Sequence, residues 1–154
     1  MTDAVLVRAP VGVAYRLLTD LDGWPRWLDG CRSVRLGPGP APGPADRHAL
    51  VLPGIGRPSR LEVVSHGWRH DEGMRWEVSW SGRGPGAASV EWWLEERREG
   101  VVVHHLVHDA AEGAPGGRRR ARAVLRYRKG VMLALQALKD HLELAVAHAA
   151  GRVP

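Results

Sequence analysis

The stretch Arg118–Ala150 reads RRRARAVLRYRKGVMLALQALKDHLELAVAHAA. Val124, Tyr127, Val131, Leu135, Leu138, Leu142 and Val146 recur at steps of three or four, and Arg126, Lys129, Gln136, Lys139, Asp140 and Glu143 fall between them. That spacing predicts one long amphipathic helix with an apolar stripe and a charged back. Gly116-Gly117 before it and Gly151 after it are the punctuation. Its length would be roughly 50 Å at about 1.5 Å per residue. No other segment matches it, and a stripe of this length needs a sheet to lie on.

Working outward, the rest of the chain divides into short strands. Asp3–Arg8 reads as a first strand. Pro10 suits a helix start, and Val13, Leu17, Leu18 and Leu21 give an apolar face to a helix over Val11–Asp20. Asp22-Gly23 breaks it, and Trp24–Leu28 predicts a second short helix with Pro25 in its first turn and Gly30 beyond its end. Six strands are expected next: Ser33–Leu36, His48–Leu52, Leu61–Trp68, Met74–Trp80, Ala88–Glu96 and Val101–His108. The clearest is Met74–Trp80, where Met74, Trp76, Val78 and Trp80 alternate with Arg75, Glu77 and Ser79. In Val101–His108 the phase is ambiguous, because both faces are apolar or His. The low-complexity Gly37–Ala45, Pro53–Pro58, Asp71–Gly73, Gly82–Gly86 and Glu99-Gly100 are turns, and Ala110–Gly117 leads into the helix.

Consecutive strands joined by short turns pair antiparallel, hide one face and twist. The fold class is therefore α+β: a curved antiparallel sheet of six to seven strands wrapped on the C-terminal helix, with two short helices after the first strand. A curled sheet around a straight helix implies a cavity, closed at one end by Trp24 and Trp27. Residues 1–154 are read as a single domain, the natural count for this length.

Composition narrows the function classes. With 44% apolar and 25% charged residues the chain is ordinary globular material. It has no run long enough for a transmembrane helix and no signal-peptide pattern, so no membrane insertion is expected. The lone Cys31 cannot form an internal disulfide, which favours the cytoplasm. A net charge of +5 suggests nucleic acid. Of the 22 basic residues, however, only Lys129 and Lys139 are lysine, and Phe and Asn are absent. That skew is what GC-rich codon usage produces, and no nucleic-acid partner is expected. Arg118-Arg119-Arg120-Ala121-Arg122 is the one local charge run, set where the helix dipole disfavours cations. It is read as a solvated helix start, with an anion site, a phospholipid head or an RNA backbone, as the sharper alternative.

Candidate site residues lie on the two expected walls of the cavity. Trp76, Val78, Trp80, Trp92 and Leu94 face inward from the strands, and Tyr127, Val131 and Leu135 oppose them from the helix, with Trp27 at the closed end. Tryptophan suits a wall against a flat or aliphatic ligand and equally suits plain core filling. Gly130, interior to the helix, is read as a bend or as a place where a ligand nears the backbone. Trp93 points away from Trp92, to the surface or a homodimer contact. His104, His105 and His108 do not form a metal set: His104 and His108 are roughly 13 Å apart at about 3.3 Å per residue, and His105 faces the other way. No cofactor and no metal are expected. For acid–base chemistry only Tyr127 and His105 are candidates, and no partner carboxylate is evident in the sequence. Cys31 has no catalytic signature around it.

Two stretches carry a family resemblance. Leu17-Leu18-Thr19-Asp20-Leu21-Asp22-Gly23-Trp24-Pro25-Arg26-Trp27-Leu28 and Ala137-Leu138-Lys139-Asp140-His141-Leu142-Glu143, together with the Glu91–Leu94 strand and the Glu99–Val103 hairpin, resemble the START-like helix-grip superfamily. That superfamily includes plant pollen-allergen proteins, lipid-transfer domains and bacterial polyketide cyclase/dehydrase-type proteins. The resemblance implies a cavity that takes a small hydrophobic ligand, lipid or polyketide-like. Binding without catalysis is the favoured expectation. An aromatase/cyclase is the alternative, and an interaction protein with a filled cavity the second.

Overall fold

The structure is a computed structural model that describes residues 2–38, 45–54, 56–69, 73–80, 87–108 and 117–151. Most of the expected turn at Gly37–Ala45, the whole of Gly82–Gly86, Asp71-Glu72, Ile55 and most of Ala110–Gly117 lie outside the described residues, as do the side chains of Trp68 and Trp80.

Seven strands form one antiparallel sheet: β1 (Thr2–Val7), β2 (Arg32–Pro38), β3 (Ala45–Leu52), β4 (Ser59–Arg69), β5 (Gly73–Trp80), β6 (Ala87–Arg97) and β7 (Gly100–His108). Their order is β1-β7-β6-β5-β4-β3-β2, so five consecutive pairs neighbour one another and only β1 crosses over to join β7. Register shifts at Arg35/Gly37 and at Gly67/Arg69 add local twist. Helix α1 (Val11–Thr19) and a 3₁₀ segment (Leu21–Arg26) follow β1, and α2 (Gly117–Ala149) ends the chain. This is the α+β helix-grip fold, with α2 lying mainly along β1 and also touching β3 and β4.

The expected second helix differs in kind and place. It is 3₁₀, starts at Leu21, and holds Pro25 inside rather than in its first turn. A 3₁₀ segment this short tolerates the missing proline N–H, because few of its bonds are lost. Trp27 N and Leu28 N close it by donating to the Trp24 carbonyl, and Gly30 then turns the chain at φ 81°.

Inside α2, Tyr127, Val131, Leu135, Leu138 and Leu142 are buried as the stripe requires, joined by Gly130 and Ala134. Val124 is only half-buried, and Val146 is 38% exposed, because the helix runs on past the residues that cover it. Gly130 has a reason other than the expected bend or ligand approach. A Cβ there would meet Leu52 Cβ at 3.0 Å and the Pro53 carbonyl at 3.1 Å, so the helix touches the end of β3.

The ambiguous phase of β7 resolves with Val101, Val103, His105 and Val107 inward. Register then lays rows across the inner face, and two of them matter below. Met74, Trp92, His105 and Asp3 form one row, and Ser65, Trp76, Val90 and Val107 form the next.

Candidate functional site

Those rows bring two indoles together, and the 3₁₀ segment and its end add two more. Trp76 from β5 and Trp92 from β6 have ring centroids 5.1 Å apart, and Trp24 from the 3₁₀ segment stands 5.4 Å from Trp76 and 6.1 Å from Trp92. Trp27, just past that segment, is 5.0 Å from Trp24. Trp24, Trp76 and Trp92 are fully buried and Trp27 nearly so. The cluster sits where Trp24 and Trp27 were expected to close one end of the space between sheet and helix.

Hydrogen bonding in the cluster is uneven. Trp24 Nε1 donates to the Leu18 carbonyl at 3.2 Å. Trp27, Trp76 and Trp92 bury their Nε1–H groups with no acceptor among the described residues. Native interiors pair nearly all such groups, and each orphan costs about 1–3 kcal/mol.

Beside Trp92 lies His105, with ring centroids 4.5 Å apart. His105 Nε2 and the Tyr127 hydroxyl are 2.8 Å apart. His105 Nδ1 faces Asp3 Oδ2 at 3.7 Å, an ion-pair separation too long for a hydrogen bond. Arg128 clamps the same carboxylate through Nη2 at 2.9 Å and Nε at 3.3 Å. Burial pushes the His105 pKa down to about 4, against an upward pull from Asp3. Burial, with Asp3 adding to it, holds Tyr127 well above the usual phenol value. At neutral pH both groups are therefore uncharged. The phenol O–H then donates to Nε2, and the imidazole N–H on Nδ1 points at the Asp3 carboxylate.

The carboxylate partner that the sequence did not show is thus Asp3. It sits roughly a hundred residues away in the chain and is brought in by the β1–β7 register. Its signal was present in the phase of the first strand: Asp3 alternates with Val5 and Val7 on the buried side, a polar residue where an apolar one is expected.

Of the sequence-derived candidates, Trp27, Trp76, Trp92, His105 and Tyr127 converge. Val78, Val131 and Leu135 are buried core, and Leu94 is half-buried against it. For Trp80 only the backbone is described; it pairs with Leu61 on β4. Trp93 points outward and stacks on His104 at 4.6 Å.

The three histidines go separate ways. His104 Nε2 is 2.9 Å from Glu95, His108 Nε2 is 3.2 Å from Glu91, and His105 faces inward. Among the described residues no three His, Cys, Asp or Glu converge as a metal set. Cys31 is buried, and that burial raises its pKa to about 11, so it stays a thiol.

Two surface hollows are lined by described residues. One, of about 520 Å³, opens between the end of the 3₁₀ segment, Pro53 and α2. Trp27, Leu28, Leu133, Ala137 and Leu144 give it apolar walls, and Arg26, Asp29, Gln136, Asp140 and His141 lie around it. Trp27 belongs both to this groove and to the buried cluster. The other, of about 490 Å³, lies between Arg8–Val11 and Glu96–Gly100 and mixes charged with apolar residues.

This chain belongs to the polyketide cyclase / dehydrase and lipid transport family, which matches residues 1–143. No curated protein matches it. Solved structures share its fold. The Zhui aromatase/cyclase from Streptomyces sp. R1128 aligns with a TM-score of 0.71 at 15% identity, over 95% of this chain and 94% of that one. The di-domain ARO/CYC StfQ from the steffimycin biosynthetic pathway aligns with a TM-score of 0.70 at 17% identity, covering 96% of this chain and 52% of that one, so this chain spans about half its length. A START superfamily protein from Mycobacterium smegmatis aligns with a TM-score of 0.64 at 12% identity, over 94% and 97% of the two chains. At such identities the likeness speaks for the fold. Among the described residues no helix is long and apolar enough to cross a membrane.

Proposed function

We propose that this chain binds a small, flat hydrophobic molecule bearing hydrogen-bond acceptors, between the sheet and its covering helices. The observation that carries the reading is the set of orphaned donors. Trp27, Trp76 and Trp92 each bury an N–H with no acceptor among the described residues, in one aromatic cluster. A ligand with carbonyl or ether oxygens would satisfy them while stacking on the rings. Entry is through the groove beside Trp27, which lines that groove and also belongs to the cluster. Val78, Leu94, Val131 and Leu135 supply apolar wall. The family's description, which covers both polyketide chemistry and lipid transport, fits a ligand of this class.

Intrinsic tryptophan fluorescence tests it. Flat carbonyl-bearing aromatics should quench saturably, and saturated acyl chains of similar size should not. Trp76→Phe and Trp92→Phe keep a ring and remove the N–H. Each should weaken binding by about 2- to 12-fold, the value of one hydrogen bond. A broad library without saturable quenching would overturn the proposal.

A second reading has its own observation, the Tyr127–His105–Asp3 array, which joins a neutral phenol to a neutral imidazole at 2.8 Å. Such a pair can give and take a proton at one atom of a bound ligand, as an aromatase/cyclase acting on a polyketide-like substrate requires. Conversion lost in Tyr127→Phe, with binding retained, would establish it; conversion unaffected by that change would exclude it.

A further inference from the structure

The back of α2 carries a feature that ligand binding leaves unused. From Gly117 to Lys139 the helix contains no acidic residue, and Asp140 is its first. Arg118, Arg119, Arg122, Arg126 and Lys129 are all exposed. Among the described residues none of these five has a carboxylate in ion-pair reach, in contrast to Arg128, which is held by Asp3.

Three large apolar side chains stand among them: Leu125 at 52% exposure, Met132 at 53% and Leu133 at 39%. At 3.6 residues per turn, Arg118, Arg122, Leu125, Lys129 and Met132 fall within roughly a quarter of the helix circumference, with Arg126 and Leu133 just beside them. This arc is opposite Tyr127 and Ala134, so it faces away from the sheet. The helix presents two stripes, one apolar and covered, the other basic with exposed leucine and methionine and uncovered.

We propose that this outer stripe docks the protein on an anionic lipid surface. The charge is complementary to such a surface, and a cationic helix face is attracted to acidic headgroups. The exposed apolar residues then decide between anionic partners. On a bilayer they sink to the headgroup boundary while Arg and Lys stems reach up to phosphates. On RNA they would gain nothing: a duplex is held through its phosphates and 2′-hydroxyls, and the stripe has no aromatic platform on which single-stranded bases could stack. Leu133 belongs to both the stripe and the Trp27 groove, so docking sets the mouth of that groove beside the bilayer. The docking itself does not depend on what the groove binds.

Flotation of the ligand-free chain with phosphatidylcholine vesicles, with and without phosphatidylglycerol, tests it. Binding should require the anionic lipid and fall with salt. Arg118→Gln, Arg122→Gln, Arg126→Gln and Lys129→Gln combined should lower partitioning by at least about 100-fold, since each cation near the surface is worth about fivefold. Arg32→Gln, Arg57→Gln, Arg60→Gln and Arg98→Gln combined remove the same charge elsewhere and should retain most of the binding. Leu125→Ser with Met132→Ser should abolish vesicle binding at unchanged charge. Circular dichroism and Tm confirm that each variant is folded; all eight cations and both apolar residues are exposed.

Three results would overturn the proposal: no binding to anionic vesicles, equal losses from the two charge sets, or a Leu125→Ser/Met132→Ser variant that binds as before. Tighter, salt-sensitive binding to duplex RNA, indifferent to the loss of Leu125 and Met132, would assign the stripe to nucleic acid instead.

Discussion

Trp24 and Trp76 pack against each other at a tilt, yet of the two only Trp24 has an acceptor for its N–H among the described residues. The two should answer differently to the same substitution. Trp24→Phe strips the buried Leu18 carbonyl of its side-chain donor, whereas Trp76→Phe removes a donor that already lacks a partner. Trp24→Phe should therefore cost about 1–2 kcal/mol more than Trp76→Phe. Urea midpoints at unchanged slope measure the difference. Equal costs would mean that Trp76 does have a partner. For the ligand reading the comparison is direct: a site that keeps idle donors should tolerate their removal until a ligand is present.

At the scale of the element, α2 combines two opposing demands at one residue. A glycine in mid-helix is disfavoured by about 1 kcal/mol relative to alanine. Propensity alone predicts that Gly130→Ala stabilises. Packing predicts the reverse, because the new Cβ would press on Leu52 Cβ and on the Pro53 carbonyl. One of those contacts is backbone and the other is next to it, so neither can swing aside. Gly130→Ala should lower Tm despite the better helix former, and a raised Tm would show that the end of β3 yields freely. The same close approach explains why α2 can lie near β3 and β4 as well as β1.

For the molecule as a whole, the buried His105 predicts a pH dependence. Its pKa falls from 6.5 to about 4 on folding, chiefly through burial. Between those values the unfolded chain binds the extra proton, so this contribution is fully present above 6.5 and is lost as pH falls toward 4. At 1.36 kcal/mol per unit the effect is at most about 3 kcal/mol. Glu95 and Glu143, whose pKa values are lowered by His104 and by Lys139, lose their contributions at lower pH still. His105→Gln should flatten the stability curve between 6.5 and about 4, as read by denaturation across that range.

How much of this was readable in the sequence follows from which interactions are local. The α2 stripe and the strand alternation are periodic, and they carried the fold, including five of the seven stripe positions as fully buried. Val146 failed because periodicity marks a face and not where its cover ends. The aromatic cluster was half legible: the phase of β5 and β6 put Trp76 and Trp92 inward, but no local pattern says which rings from separate elements meet. Asp3 was missed because the pairing of the first strand with the seventh is set by the whole sheet.

That pairing bears on how the chain comes to be folded. β2 to β7 can zip together as successive local hairpins, each strand meeting the next within a short loop. β1 has no such neighbour: Thr2 pairs with Leu106 and Val7 with Val101, roughly a hundred residues on. On a ribosome the first strand emerges long before its partner exists, and closing so long a loop is slow. Until it closes, β7 is an open edge, able to pair with another nascent chain. The Asp3–Arg128 clasp joins β1 to α2, so it can latch only once the helix that follows all seven strands has been synthesised.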